Sequence, residues 1–123
     1  MSHRVFLVDP ELSSRGALEG LLKNRGYHVG VGDRWDRIWP ALADDSWDLL
    51  LADPPPALDF VDALLRLHAA RPTLPIFLVT SYARHEAGLD RIRPVCRRIF
   101  EKPVDVGMVD DALRDLFDGD EGV

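Results

Sequence analysis

Three short apolar runs, each ending in a residue fit for chemistry, constrain this chain more than any other feature. Val5-Phe6-Leu7-Val8 runs into Asp9, Leu49-Leu50-Leu51-Ala52 into Asp53, and Ile76-Phe77-Leu78-Val79 into Thr80 and Ser81. A fourth, Ile99-Phe100, leads through Glu101 to Lys102 and Pro103. Fully apolar, β-branched runs of this length between helical patterns predict strands buried on both faces, as in a parallel sheet. Such sheets bind ligands beyond the carboxyl ends of their strands. Asp9, Asp53, Thr80 and Lys102 are therefore expected on one rim. That gathers two carboxylates, a hydroxyl and an ammonium.

The segments between the runs supply the helices. Asp9-Pro10-Glu11 predicts a helix start, with Asp9 as N-cap and Pro10 in the first turn. Ala17, Leu18, Leu21 and Leu22 form its apolar face, and Gly26 stops it. Residues 27–31 predict a weak strand. Trp35, Ile38, Trp39 and Leu42 recur at helical spacing, with Pro40 keeping that helix short or kinked. After the strand over residues 48–52, Pro54, Pro55 and Pro56 bar both helix and central strand. Asp59 is expected to cap the next helix, which carries Phe60, Leu64 and Leu67. A helix near residues 83–93 breaks at Pro94. Asp105 caps the last helix, whose stripe is Val109, Ala112, Leu113, Leu116 and Phe117. Gly119 ends it, and the acidic tail over 119–123 is expected to fray. Repeated strand–helix alternation predicts one α/β, doubly wound domain over residues 1–123, with helices on both faces of the sheet.

Composition narrows the function classes. The 123 residues, 46% hydrophobic and 29% charged, suit one folded domain. A net charge of −6 argues against nucleic acid as a direct partner. No apolar stretch approaches the roughly 20 residues that span a bilayer, so no membrane partner is expected. The first residues carry no signal-peptide pattern, and the single cysteine, Cys96, has no internal disulfide partner, so a cytoplasmic setting fits. Cys96 reads as a small core residue, and Trp35, Trp39 and Trp47 as packing residues.

At this point the chain resembles the CheY-like receiver domain of bacterial response regulators, over essentially its whole length. The matching segments are VFLVD, DLLLAD, IFLVTS and FEKP, in that order, with 21 residues between Thr80 and Lys102. The resemblance implies a five-stranded, flavodoxin-like parallel sheet of order 2-1-3-4-5. It also implies two-component signalling, in which a histidine kinase or phosphotransfer protein donates a phosphoryl group to Asp53. Carried over by position, Asp9 is an acidic-pocket residue that holds magnesium with Asp53. Thr80 is the switch hydroxyl, and Lys102 contacts the phosphoryl group. Glu11 and the backbone carbonyl of Pro55 are weaker candidate ligands for the magnesium. The chain would be a switch and not an enzyme, beyond its own phosphoryl transfer and hydrolysis. Since no output domain follows residue 123, a stand-alone protein acting on an unidentified downstream protein is the expectation.

The chemistry of these residue types stands beside the resemblance. A carboxylate is a weak nucleophile unless the charge on the incoming phosphoryl group is neutralised. A divalent cation between Asp9 and Asp53 would do this and relieve their repulsion. Lys102 would act as a point charge on the phosphoryl oxygens.

Four departures bear on this reading. Pro10 stands where the family has a second acid. Pro54, Pro55 and Pro56 lack the N–H groups that would cradle phosphoryl oxygens, in a loop one residue shorter than usual. Ile99 stands where an aromatic residue often rotates behind the threonine, so it is a candidate switch position of altered kind. Pro94-Val95-Cys96 replaces a Gly-Ala step. Slow phosphorylation is the expectation. A degenerate receiver of the same fold, acting by protein contact without phosphorylation, is the alternative. A flavodoxin-like nucleotide or flavin binder is a second, disfavoured because Asp9-Pro10-Glu11 is acidic where a phosphate would sit.

Charge is unevenly placed. Residues 84–102 hold six basic side chains against three acids, whereas 105–123 hold seven acids against Arg114 alone. These are either two solvated faces or a partner face. In the second case Arg91, Arg93 and Arg98, with Arg97, are expected beside Asp110 and Asp111, where a second copy or another protein meets the chain.

Overall fold

The computed structural model describes residues 3–32, 46–53, 58–81 and 87–118. Its elements are β1 (Arg4–Val8), α1 (Leu12–Asn24), β2 (His28–Gly32), β3 (Leu49–Ala52), α2 (Leu58–Ala70), β4 (Ile76–Thr80), α3 (Ala87–Ile92), a 3-10 turn (Arg93–Val95), β5 (Arg98–Glu101) and α4 (Val106–Phe117). The five strands pair in parallel in the order β2-β1-β3-β4-β5. Expectation and structure agree on class and order. The helix expected around Trp35 to Leu42, the Pro54–Pro56 segment with the Pro55 carbonyl, the start of the helix near residue 83 and the acidic tail lie outside the described residues.

Side-chain alternation along the strands divides the core into two layers. Phe6, Val8, Leu50, Ala52, Ile76 and Leu78 face α2 and α3, packing with Val61, Leu64, Leu67 and Ile92. Val5, Leu7, Leu49, Leu51, Phe77 and Val79 face α1 and α4, packing with Leu18, Leu22, Val109, Ala112 and Leu113. The three inner strands bury every residue after Arg4, which is why their sequence reads as unbroken apolar runs. Only Arg4, at the start of β1, is half-exposed.

Helix ends follow local chemistry, with two corrections. The last helix is capped by Asp105, whose side chain accepts from the N–H groups of Gly107 and Met108 at 2.9 and 3.3 Å. Gly26, at φ +80°, provides the left-handed stop after α1. The expected cap at Asp9 is displaced: α1 begins at Leu12, with Glu11 in the cap position and no side-chain cap bond. Pro10 therefore precedes the helix instead of opening it. Ala17 is exposed, and the buried stripe of α1 is Ser14, Leu18 and Leu22. Likewise α2 starts at Leu58, so Asp59 lies within its first turn.

Trp47 is a packing residue. It stands edge-on to Phe6 at 5.0 Å, and an added Cβ at Gly30 would lie 2.4 Å from its ring. Cys96 packs half-buried against the α2/α3 layer, and burial pushes its thiol up to about 12.

Candidate functional site

Register brings the carboxylates together before any side chain is considered. Val8 pairs with Ala52, so Asp9 and Asp53 leave adjacent strands at the same level. The ladder continues past both ends: the Asp53 N–H donates to the Val8 carbonyl at 2.7 Å, and the Asp9 N–H to the Gly32 carbonyl at 3.2 Å. On the other side Thr80 pairs with Glu101, and the Lys102 N–H donates to the Thr80 carbonyl at 2.9 Å. The Lys102–Pro103 peptide is cis. Thr80 is fully buried at its strand end.

Lys102 reaches across to the two acids. Its ammonium donates to Asp53 Oδ2 at 2.7 Å, to Ser14 Oγ at 3.0 Å and to Asp9 Oδ1 at 3.2 Å. Glu11 Oε1 lies 3.5 Å away as a looser ion-pair partner, with most of its side chain in solvent. The Lys102 side chain is 8% exposed, Asp9 1% and Asp53 12%. Asp9 is committed further: Oδ1 also accepts from the Glu11 N–H at 2.9 Å, and Oδ2 accepts from the Ser14 hydroxyl. Arg15 donates to the Asp9 carbonyl at 3.1 Å, holding the turn before α1.

Electrostatics follow from this burial. Loss of water pushes the Asp53 carboxyl up to about 6. Lys102 opposes that rise through its hydrogen bond and charge, and the nearby Asp9 adds to it. For Lys102, burial acts downward, but the bond to Asp53 and the charges of Asp53 and Asp9 outweigh it and hold the ammonium above the usual lysine range.

Asp9, Asp53 and Lys102 therefore converge, with Glu11 at the margin and Thr80 joined through its backbone. Ser14 was not among the expected site residues. The signal for it was its spacing: a serine four residues before Leu18 and eight before Leu22 is a hydroxyl on the apolar stripe, one turn after Asp9. For magnesium, Asp9 and Asp53 would be the carboxylate donors, and the Pro55 carbonyl lies outside the described residues. The point between the carboxylates is filled by an ammonium, and among the described residues no three His, Cys, Asp or Glu side chains converge as a metal site.

The helices α3 and α4 lie on opposite faces of the sheet, with the edge strand β5 between them, and the residues of the expected partner face have neighbours other than one another. Arg91 pairs with Asp62 of α2 at 3.3 Å, and Arg93 with Asp90 at 3.2 Å. Arg98 sits over the Phe100 ring at 5.6 Å. Asp110 is bound by Arg25 of α1, whose hydrogen bond and charge hold the carboxyl below its usual range, and Asp111 pairs with Arg114 at 2.9 Å. Ile99 is half-buried in the α2/α3 layer.

No family model matches the chain. Among curated proteins it is similar to the transcriptional regulatory protein ZraR of Escherichia coli K12, 24% identical over 102 residues. That alignment covers 82% of this chain and 23% of the relative, so the chain spans about a quarter of the curated relatives it matches. Among solved structures it is similar to the signal receiver domain of an HD domain-containing protein from Pseudomonas fluorescens Pf-5. The TM-score is 0.83 at 21% identity, over 100% of both chains. A CheY-like response regulator receiver domain protein from Methanospirillum hungatei JF-1 gives 0.82 at 19%, again over 100% of both. The sheet order, the connecting helices and these likenesses agree: the fold is that of the CheY-like response regulator receiver domains.

Proposed function

We propose that the chain is a phosphoacceptor switch of two-component signalling, with Asp53 as the acceptor. The observation that carries this reading is the buried Asp9–Lys102–Asp53 cluster at the carboxyl rim of the sheet, with Thr80 on the adjoining strand end. An Asp53 carboxylate oxygen attacks the phosphorus of a phosphohistidine on a kinase or phosphotransfer protein. The P–N bond breaks, an acyl phosphate forms, and the donor imidazole takes up a proton. Lys102 neutralises charge on the phosphoryl oxygens as they arrive. The extra negative charge at Asp53 draws Lys102 and Thr80 towards it, and the rearranged rim is what a downstream protein reads. A cytoplasmic setting belongs to this reading, and no helix among the described residues is long and apolar enough to cross a membrane. Magnesium belongs to it as a competitor for the place Lys102 holds.

A second reading keeps the fold and drops the phosphorylation, leaving a domain that acts by protein contact. Pro10 in place of an acid, and an ammonium whose three N–H groups already have acceptors, favour it. Intact-mass measurement after incubation with acetyl phosphate and magnesium chloride separates the two. The first reading expects one phosphoryl adduct on the wild type and none on Asp53→Asn. No adduct from acetyl phosphate or from a panel of phosphorylated histidine kinases establishes the second.

A further inference from the structure

We propose that Ser14 is a positioning residue that latches Lys102 between Asp9 and Asp53, making the lysine a tethered cation in direct competition with any divalent metal for that place. An ammonium has three N–H donors, and here each has an acceptor: Asp53 Oδ2, Ser14 Oγ and Asp9 Oδ1 at 2.7, 3.0 and 3.2 Å. Ser14 does two things at once. It accepts from Lys102 and donates its O–H to Asp9 Oδ2, so a single hydroxyl links the cation to the deeper carboxylate. Its place on α1 is rigid, one turn above Leu18 on the buried stripe, and the residue is 7% exposed. The latch is thus set by a helix, whereas Lys102 reaches it from the turn after β5.

The physical consequence is a site whose two buried carboxylates share one internal cation. Two acids adjacent on neighbouring strands repel unless a cation stands between them. With Pro10 supplying no carboxylate, the Lys102 ammonium, the Ser14 hydroxyl and the Glu11 N–H donate to the carboxylates of Asp9 and Asp53. A metal entering this place must first displace three hydrogen bonds, and Ser14 holds one of them. The proposal deepens the phosphoacceptor reading, since it concerns the same site. Its test does not require phosphoryl transfer.

The chain contains two lysines, which makes the test direct. Lys23 has a side chain 63% exposed and serves as an internal reference for Lys102. Trace acetylation with acetic anhydride at fixed pH, read by peptide mass spectrometry, gives the ratio of the two labelling rates. Wild type is expected to label Lys102 much more slowly than Lys23. Ser14→Ala is expected to speed Lys102 by roughly tenfold, the scale of one hydrogen bond to a charged group, with Lys23 unchanged. Saturating magnesium chloride is expected to speed Lys102 in wild type, and to do so at lower concentration in Ser14→Ala. An unchanged ratio in Ser14→Ala overturns the latch, and the same result in Ser14→Gly, which leaves more room and no hydroxyl, rules out a compensating contact from the alanine. Faster Lys102 labelling in Ser14→Ala with no response to magnesium in either protein keeps the latch and overturns the competition. A protein that has the latch but takes no phosphoryl group keeps this inference and loses the reading it deepens.

Discussion

At the scale of single residues, Lys102 carries the most. Removing it as Lys102→Met leaves two almost buried carboxylates facing each other. Breaking a buried pair from one side costs about 3–5 kcal/mol, and the partly open rim places this variant near 3. Urea unfolding at neutral pH measures it, and the loss should shrink in acid, where the carboxyls take up protons. Asp53 gives a signed pH dependence. Its folded value of about 6 lies above the ordinary 3.8, so between these two values the folded state binds more protons than the unfolded one. Stability from this group is full below the lower value and is lost as pH rises through the upper. Wild type should therefore lose stability relative to Asp53→Asn between about pH 4 and pH 6, seen as a shift in the difference of denaturation midpoints. A flat difference across that range would show that Lys102 compensates the burial completely.

At the scale of elements, caps and close packing decide what a substitution does. Asp105→Ala removes the side chain that satisfies two N–H groups at the start of α4 and should cost about 1 kcal/mol. Glu11→Ala, at the start of α1, removes no cap bond and should stay within about 0.5 kcal/mol. Gly30→Ala on β2 is the sharper case. Its new Cβ meets Trp47, which is itself held by Phe6, so overpacking of about 1–3 kcal/mol is expected in thermal or chemical denaturation. The cap at Asp105 was legible in sequence because an aspartate before an amphipathic stripe has one dominant local use. The cap at Asp9 was not. The same carboxylate had tertiary partners in Ser14 and Lys102, and these, with the N–H of Glu11, took its oxygens.

At the scale of the whole molecule, the doubly wound sheet separates charges that sequence places close together. Arg91 of α3 lies on the face of α2, and the acidic helix α4 on the face of α1. Arg91 should accordingly couple to Asp62 by about 0.2–1 kcal/mol in a double-mutant cycle of stability. The cycle of Arg91 with Asp111 should give none, since Asp111 pairs with Arg114 on its own helix. Coupling in the second cycle would mean that the two faces meet around the β5 edge.

What the sequence by itself determined is the sheet and the rim. Three apolar runs without alternation predict strands covered on both sides, and their order with the shorter Ile99-Phe100 stretch and the intervening helices puts Asp9, Asp53, Thr80 and Lys102 at one rim. Those are properties of runs and connections, which local pattern encodes. The tertiary structure decided which atoms satisfy one another there. Ser14 joined the site because helix α1 aims its buried stripe at the rim, and Lys102 reached both acids because β5 ends one strand beyond Thr80. A hydrogen bond across 88 residues, such as that between Lys102 and Ser14, is fixed by where two elements pack and by the few ångströms a side chain can span.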